Sequence, residues 1–451
     1  MPGYSQTTLD SLTTQLGVLL DDPNAKFWTL PEKQYAVWEA MRVFGAYTSY
    51  WRARGTATVN PPASLSASPW IDLSVALPLL RPRAWTLDQL TKEIQWALLE
   101  NASGIAGTGM SQQVDVPTLL QAVQRSRNRF VLDTCLPLSV TPVAPLPGPP
   151  EGLVQFPQNV VYLHRVSFQD SVSQTWTNLW RQDAWALDKN DYLWTGEPGT
   201  PQVYSESEVS PLQLQLAPPP GNVGTVEALT VNSLQLDLTN PNTTFNIPDE
   251  WIHAVKYAAL AEILSGEGQI QDDARAQYCE ARYQQAVTLA RDARSIIRLQ
   301  ANSRPLPLDS TAALDAGIPY WRNQTGSVQA AGCFYDMLAL GPQPGTQTGL
   351  ALDVAQAAPI PTTGGAFIQM GYEDLEHLTD YCVNILAIKC GGRDLKQTMS
   401  GYDNFMRGVA RRNQATAAKI TYLTPLFAQP QKEWAMRPDT LPAAQEAATH
   451  A

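Results

Sequence analysis

The residues that could carry out chemistry are few and scattered along the chain. Zinc sites require clustered thiolates or imidazoles, yet no Cys-x-x-Cys pair occurs, the histidines are scattered, and neither His253 nor His377 has a second ligand at position i+4. We therefore predict no metal site and no cofactor. The odd number of cysteines predicts reduced, mostly buried thiols in a cytoplasmic setting. The cysteines stand at positions 135, 279, 333, 382 and 390, and the histidines at 164, 253, 377 and 450.

Three short motifs have some resemblance to functional sites. The glycine-rich stretch SGIAGTGMS (103–111) lacks the Gly-Lys-Ser/Thr ending of a phosphate loop, which predicts a plain loop. DKND (188–191) lacks the glycine and distal glutamate of a calcium loop. The acidic pair in DDAR (272–275) suits a helix start. We predict that His253 and His377 are buried or interface residues, that there are no catalytic residues, and that the protein is not an enzyme.

Composition narrows the choice of partners. Hydrophobic residues make up 44% of the 451 residues and charged residues only 16%, with 13 Trp and 16 Tyr. Such a chain can bury a large core, and its many aromatic residues either cover interfaces with partners or fill that core. The net charge of −11 argues against binding nucleic acid through its phosphates. Neither a signal peptide nor an apolar run of about 20 residues is visible, so we predict no membrane span.

Periodicity predicts helices in the first part of the chain. Leucines 9, 12, 16 and 19 form one apolar stripe. A second helix opens with a capping box, Thr29 with Glu32, and continues to Gly55. PWIDLSVALP (69–78) is predicted to be extended. A third helix opens with a second box, Thr86 with Gln89, and a fourth is capped by Asp115.

The remaining chain predicts an α+β fold: an α-helical bundle with an inserted β domain and a duplicated helical hairpin toward the C-terminus. Alternating residues predict strands at 160–168, 212–220 and 226–238. Helices follow from Ile247 to near Leu299, then at 371–391 and 395–420. The predicted segments are 1–136 (helical), 137–245 (β domain), 246–299 (helical hairpin), 300–370 (Pro/Gly-rich, partly extended), 371–423 (second hairpin) and 424–451 (C-terminal arm).

The two hairpins resemble each other at an offset of 124 residues. His253 aligns with His377, and Ala286 with Ala410. Two tyrosine pairs align as well, 257 with 381 and 278 with 402. The shared helix–turn–helix frame favours a duplication over two hairpins that converge in pattern.

Several stretches resemble the tailed-bacteriophage head–tail adaptor (connector/neck) protein family. TTLDSLTTQLGVLLDDPNAKFWT followed by AVWEAMRVFGAYTSYWRARG resembles the N-terminal helical pair of those proteins. WRQDAWALDKND, LQLQLAPPP and IPDEWIHAVKYAALAEILSGEGQIQDDARAQYCEARYQQAV resemble the β segment and later helices of larger adaptor-like proteins. The resemblance covers most of 5–295 and, more loosely, 366–425. The chain departs from compact adaptors by its inserted β domain and its appended third segment.

The resemblance implies a virion structural protein, made in the host cytoplasm and located at the head–tail interface. It implies a ring of twelve copies, docked on a portal protein and on a tail or nozzle/fibre protein. DNA would pass through the ring without specific binding, and no membrane is involved. The alternatives are a tail or baseplate ring component that anchors fibres, a carbohydrate- or receptor-binding module and, as an enzyme, a cell-wall hydrolase. In the carbohydrate-binding module, Trp176, Trp180, Trp185 and Trp194 would stack on sugars.

The C-terminal arm combines prolines with large apolar residues. Four prolines between 425 and 442 prevent one continuous helix. Because adaptors of the resembled family commonly grip a neighbouring ring with a terminal extension, we expect residues 424–442 to dock on a partner chain. The expected docking residues are Phe427 and Trp434, which serve as anchors, with Leu426 and Met436.

Overall fold

The computed structural model describes residues 5–64, 67–99, 104–106, 114–143, 152–190, 196–206, 212–267, 270–293 and 295–423. These residues form both helices and sheets, consistent with the predicted α+β class. The α-helices are α1 (Leu9–Leu19), α2 (Leu30–Thr48), α3 (Leu73–Ala76), α4 (Leu87–Ala97), α5 (Val116–Thr134), α6 (Ala184–Asn190), α7 (Ile252–Ser265), α8 (Asp273–Asp292), α9 (Thr311–Gly317), α10 (Tyr372–Ala387) and α11 (Gly392–Leu423). Short 3-10 helices span Gly104–Ala106, Asp249–Trp251 and Trp321–Asn323.

The strands form four sheets among the described residues. They are β1 (Arg52–Val59), β2 (Trp70–Asp72), β3 (Leu138–Val143), β4 (Leu153–Gln155), β5 (Val160–Asp170), β6 (Trp176–Arg181), β7 (Val203–Glu206), β8 (Gln213–Ala217), β9 (Gly224–Asn232), β10 (Ile296–Ala301), β11 (Arg304–Leu306), β12 (Leu308–Asp309), β13 (Thr325–Gly326), β14 (Ala330–Phe334), β15 (Met337–Gly341), β16 (Gln343–Pro344) and β17 (Thr348–Ala355). The strand orders are β3-β9-β5-β6-β7-β8-β4, β1-β17-β10-β11, β12-β14-β15-β2 and β13-β16.

The largest core joins helices that are far apart in the sequence. Its buried side chains come from α1, α2, α4, α5, α7, α8, α10 and α11. The chain near the N-terminus also pairs with a distant segment, since the Ser5 N–H donates to the Met370 carbonyl at 2.7 Å. The three helical stretches that the sequence separates therefore share one hydrophobic core.

The N-terminal stripe and the caps largely follow the sequence. Leu9, Leu12 and Leu16 are fully buried, whereas Leu19 is 55% exposed. In the second capping box, the Gln89 N–H donates to Thr86 Oγ1 at 3.3 Å and the Thr86 N–H donates to Gln89 Oε1 at 2.9 Å. These local hydrogen bonds satisfy amide groups that the first helical turn leaves open.

The predicted extent of α2 is wrong at its C-terminal end. The helix ends at Thr48, and Ser49 takes a left-handed conformation with φ 48°. Gly55 does not stop the helix but lies within β1, where it pairs with Leu352 of β17. The partner strand lies about 300 residues away in the sequence, so helical periodicity alone could not indicate this change.

Three further boundaries differ from the predictions. The α8 helix ends at Asp292 rather than near Leu299, because residues 296–301 form β10 and pair with β17. Within the stretch 69–78, only β2 is extended, and Asp72 caps the short helix α3 through a hydrogen bond from the Ser74 N–H at 2.8 Å. The strand predicted at 226–238 ends at Asn232.

The seven-stranded sheet is built from residues 138–232, inside the predicted β domain. Strands β4 to β9 have a hydrophobic core of their own, which includes Val166, Phe168 and Leu214. The alternation in LQLQL is confirmed, since Leu214 and Leu216 are buried in β8 while Gln213 and Gln215 are partly exposed. The chain enters this sheet after α5 and leaves it before α7, so helices flank the sheet in sequence.

The edge strands of the larger sheets are short or carry residues that resist further pairing. The edge strands β4, β11 and β2 have three residues each, and β11 contains Pro305. The edge strand β3 contains Pro142. The longest edge strand, β1, begins with Arg52 and includes Arg54.

Two helix hairpins occupy the later part of the chain. The first consists of α7 and α8, and the second of α10 and α11. Their existence agrees with the two hairpins seen in the sequence, while their origin by duplication stays a prediction.

The N-terminal stripe predicts how the core responds to mutation. Replacing Leu16 with Ala should lower the free energy of unfolding by about 2–5 kcal/mol, because it leaves a cavity in the core. Leu19→Ala on the same helix is the matched control and should change the free energy by less than about 0.5 kcal/mol. Urea unfolding followed by circular dichroism measures both. Equal losses in the two variants would contradict the assigned buried face.

Candidate functional site

The side chains whose types are suited to catalysis or metal binding make mostly structural contacts. Within the described ranges, no group of three His, Cys, Asp or Glu is placed to hold a metal ion. In the glycine-rich stretch, the Gly104 N–H donates to Gln95 Oε1 at 2.9 Å and the Ile105 N–H donates to Asp88 Oδ1 at 3.2 Å. These two amides are therefore not free to bind a phosphate. Of the five cysteines, Cys279 and Cys382 are buried and the other three are partly buried.

A buried ion cluster lies where α2, α4 and α7 meet. Lys256 contacts Glu39 directly, and the Tyr257 hydroxyl donates to the same carboxylate at 2.9 Å. Arg42 Nη2 lies 3.4 Å from Glu93 Oε1. Burial favours a raised pKa for Glu39, but the charge and hydrogen bond of Lys256 outweigh it and lower the pKa. For Glu93, burial dominates and raises the pKa.

A second buried cluster is centred on Arg81, in the segment after α3. Its guanidinium contacts Asp336 Oδ1 at 3.0 Å and Glu250 Oε1 at 2.8 Å, and donates to the Tyr335 hydroxyl at 2.6 Å. A fourth contact goes to the Ala355 carbonyl at 3.1 Å. This single side chain therefore connects the start of α7 with the sheets of residues 296–355.

Two further ion pairs connect the β domain with the segment 311–323. Arg322 Nη2 lies 2.7 Å from Glu227 of β9, and both side chains are buried. Arg165 of β5 makes two contacts with Asp315, at 2.5 and 2.8 Å. Bidentate arginine–carboxylate pairs fix the relative orientation of the two side chains as well as the distance between them. These pairs hold the seven-stranded sheet against the segment that contains α9.

The described tryptophans of the proposed carbohydrate-binding module differ in their exposure. Trp176 is only 4% exposed, and the Arg322 guanidinium lies 3.5 Å from its ring centroid. It therefore cannot stack on a sugar in this structure. By contrast, Trp180 is 64% and Trp185 74% exposed. Trp194 lies outside the described residues, as do the four arm residues Leu426, Phe427, Trp434 and Met436.

The tyrosines that align between the hairpins lie close together in space. Tyr381 and Tyr402 pack with ring centroids 5.7 Å apart. The Arg282 guanidinium lies 4.9 Å from the Tyr278 ring centroid and 5.3 Å from that of Tyr381, and it also lies over Tyr402. The two hairpins thus meet through residues that the sequence alignment paired.

His253 is a structural residue, as the sequence predicted. Its Nδ1–H donates to the Glu250 carbonyl at 2.8 Å, and Nε2 accepts from the Tyr47 hydroxyl at 3.4 Å. Both contacts suit a neutral imidazole. Burial lowers the pKa of His253 to about 3. His377 is partly exposed, at the corresponding position of the second hairpin.

The sequence reasoning missed the buried ion clusters. A signal was nevertheless present, because Lys256 stands in the apolar run IHAVKYAALAEIL and Glu39 in the run AVWEAMRVF. A charged residue surrounded by apolar residues on a helix is rarely buried without a partner. The sequence could therefore indicate buried charges, although it could not pair them.

A family model matches the central part of the chain. Residues 85–305, just under half of the chain, match the model of the SU10 adaptor protein family. The match supports a phage adaptor family and a structural role in the virion. It spans α4 to β10, including the whole seven-stranded sheet and the first hairpin, whereas the N-terminal helical pair lies outside it.

A comparison with curated proteins found no match. Among the described residues, no helix is both long and apolar enough to cross a membrane.

The buried histidine predicts a pH dependence of stability. Between pH 6.5 and about 3, the unfolded chain binds a proton at His253 that the folded chain does not, so stability falls as the pH falls below 6.5. From pH 7 to pH 5, the wild type should lose about 2 kcal/mol more than His253→Gln. Burial raises the pKa of Asp249 to about 6, which acts in the opposite sense but equally in both proteins.

Urea unfolding at pH 8, 7 and 5 measures this difference. At pH 8 His253 is neutral in both the folded and the unfolded chain. The stability of the wild type and that of His253→Gln should therefore have the same slope against pH near pH 8. Identical losses between pH 7 and pH 5 would show that His253 is protonated in the folded protein.

Proposed function

We propose that the protein is a head–tail adaptor, or connector, subunit that forms a ring under the portal and lines the DNA exit channel. The observation that carries this proposal is the match of residues 85–305 to the SU10 adaptor protein family. The stretches that resemble head–tail adaptors also include α1, α2 and the second hairpin, and they support the same assignment for these elements. As that resemblance implies, the ring has twelve copies and contacts a portal protein and a tail or nozzle/fibre protein.

Exposed apolar side chains on several elements support assembly with other chains. Surfaces that meet partners are enriched in aromatic residues and depleted of charge. A closed ring uses two different lateral surfaces on each subunit, because its contacts run head to tail. Side chains suited to such contacts are at least 43% exposed and include Val18, Leu19, Phe27, Leu79, Leu99, Trp180, Trp185, Tyr320, Phe367 and Tyr372.

The rigidity of the subunit suits the same role. The ion pairs of Arg81, Arg165 and Arg322 hold the β domain and the later sheets to the helical core. A subunit with fixed internal geometry can set the angle between neighbours in a ring. The net charge of −11 would let DNA pass through the channel without binding its phosphates.

A tail or baseplate ring component that anchors fibres is the second candidate. Trp180 and Trp185 favour it, because both are exposed on the β domain. Aromatic residues of this kind are common binding hot spots. The two candidates differ in their first partner, which is a portal in one case and a fibre protein in the other.

Electron microscopy of the purified chain tests the proposed function. Negatively stained images of the chain, alone and mixed with the portal protein, should show annular particles with twelve-fold symmetry. Rings stacked on portal particles would support the adaptor role. Binding to fibre protein but not to portal would favour the second candidate, and a monomer in every mixture would refute both.

Residues 424–442 of the C-terminal arm are proposed to dock on the partner ring. Its large apolar residues support the idea, with Phe427 and Trp434 as the anchors. An arm with such anchors would add contact area beyond the lateral surfaces of the ring.

Deletion of residues 424–451 should leave a folded subunit that no longer joins its portal-side or tail-side partner. The double substitution of Phe427 and Trp434 by Ala should weaken joining by about tenfold or more, because two anchors are lost. The matched control replaces Gln429 and Gln431 of the same segment with Ala and should join normally. Pelleting with the partner ring measures joining. Normal joining by the truncated chain would exclude a docking role.

A further inference from the structure

A small cavity lies beside the buried ion cluster of α2, α4 and α7. The volume that the centres of water-sized groups can occupy in this cavity is about 40 Å³. One water requires about 10–15 Å³ by this measure, so the cavity has room for about three such groups. Its polar lining includes Glu39, Glu93 and Lys256, and the turn after α10 contributes Lys389.

One buried carboxylate oxygen in this cavity is not satisfied by the protein. Glu93 is 6% exposed, and within the described residues its Oε2 atom makes no hydrogen bond. Lys256 Nζ lies 3.7 Å from Oε2, beyond hydrogen-bond length, and is engaged with Glu39. A buried acceptor without a donor is costly, commonly by about 1–3 kcal/mol. The cavity therefore favours a ligand that donates hydrogen bonds.

The other cations near the cavity, Lys389 of the lining and Arg42 beside it, make no hydrogen bond to Glu93 Oε2. Lys389 Nζ lies 2.7 Å from Glu32 Oε1 and donates a second hydrogen bond to the Phe27 carbonyl at 2.7 Å. The Arg42 guanidinium reaches only Oε1 of Glu93 and lies 3.7 Å from the Trp85 ring centroid. Lys256 and Lys389 are thus engaged with other oxygens, while Arg42 Nε and Nη1 make no hydrogen bond within the described residues, and none of the three cations donates to Glu93 Oε2.

The walls of the cavity are aromatic. Trp28, Tyr35 and Trp96 line it, and all three are partly exposed to solvent. Tyr35 and Trp96 pack edge to face with centroids 4.9 Å apart. The Trp28 indole N–H already donates to the Leu386 carbonyl at 3.0 Å, so this side chain contributes its aromatic carbon surface to the lining. Aromatic faces attract cations, and their apolar surface suits methylene groups.

We propose that this cavity binds a primary alkylammonium group. The ammonium donates to Glu93 Oε2, and its first methylenes pack against Trp28 and Trp96. The size of the cavity limits the ligand to a slim chain, such as a linear amine. Binding also offsets the burial of the Glu93 charge, which otherwise raises the pKa of that carboxyl.

Two kinds of ligand carry the proposed alkylammonium group. The group is either a free linear amine or a lysine side chain of a second copy of this chain. The proposal concerns the site and does not depend on ring formation, so it can fail while the adaptor role stands, and the reverse also holds.

Binding of n-butylammonium to the full chain tests the site directly. Saturation-transfer NMR and tryptophan fluorescence report binding, since Trp28 and Trp96 line the cavity. Two probes of equal length serve as controls: n-butanol lacks the charge, and butyrate reverses it. We expect n-butylammonium to bind at least tenfold more tightly than either, because a charge-assisted hydrogen bond is made only by the amine.

Variants locate the binding. Glu93→Gln keeps the shape of the side chain and should weaken n-butylammonium binding about tenfold or more. Glu262→Gln on α7 is the matched control, because its side chain is 39% exposed and pairs with Arg125 at the surface. Trp96→Leu keeps the carboxylate and should weaken binding several-fold. Circular dichroism confirms that each variant is folded, and the Trp96 variant preserves the test if Glu93→Gln is not.

Sedimentation velocity separates the two sources. If a lysine of a second copy occupies the cavity, n-butylammonium should dissociate the self-associated chain, n-butanol should not, and Glu93→Gln should associate less. Binding of the amine without any effect on association assigns the site to a free amine. Equal binding of the amine and the alcohol, undiminished binding to both variants, or no binding together with unchanged association would overturn the proposal.

Discussion

The contact between Lys256 and Glu39 is the interaction on which the rest of the structure depends. It joins α7, which follows the seven-stranded sheet in the chain, to α2, which precedes it, with Glu93 of α4 at its side. Neither charge is tolerated alone in such a place, since removing one member of a buried pair commonly costs about 3–5 kcal/mol. The helices must therefore meet in one register, and this register fixes where the β domain leaves and re-enters the helical core. Arg81 and Arg322 extend the same constraint outward to the later sheets.

Much of the fold could be predicted wherever the signal is local. The capping box of Thr86 with Gln89, the Asp115 cap and the alternation in LQLQL are each formed by residues a few positions apart, and all three occur. The ends of α2 and α8 could not be predicted, because β1 and β10 exist by pairing with β17, which lies far away in the sequence. Strand formation depends on such neighbours more than on intrinsic preference.

The same distinction applies to the candidate sites. The prediction of a buried or interface His253 rested on the lack of a second ligand at position i+4, which is a local property, and His253 is buried. Four tryptophans of the β domain look equivalent in the sequence, yet Arg322 covers Trp176 while Trp180 remains open. The orphaned oxygen of Glu93 depends on contacts among α2, α4 and α7, so only the folded chain reveals it. Spacing identifies residue types suited to a role, but the tertiary contacts decide which of them are free to perform it.

The edge strands limit how copies of this chain can associate. An exposed strand edge invites a further strand, and repeated addition of that kind leads to open fibrous aggregates. Here β4, β11 and β2 offer only three residues each, β3 and β11 contain Pro142 and Pro305, which lack an N–H for further pairing, and β1 carries Arg52 and Arg54. Backbone pairing between subunits is therefore disfavoured at these edges, even at high local concentration. Association must rely on side-chain complementarity, which has a defined geometry and can terminate.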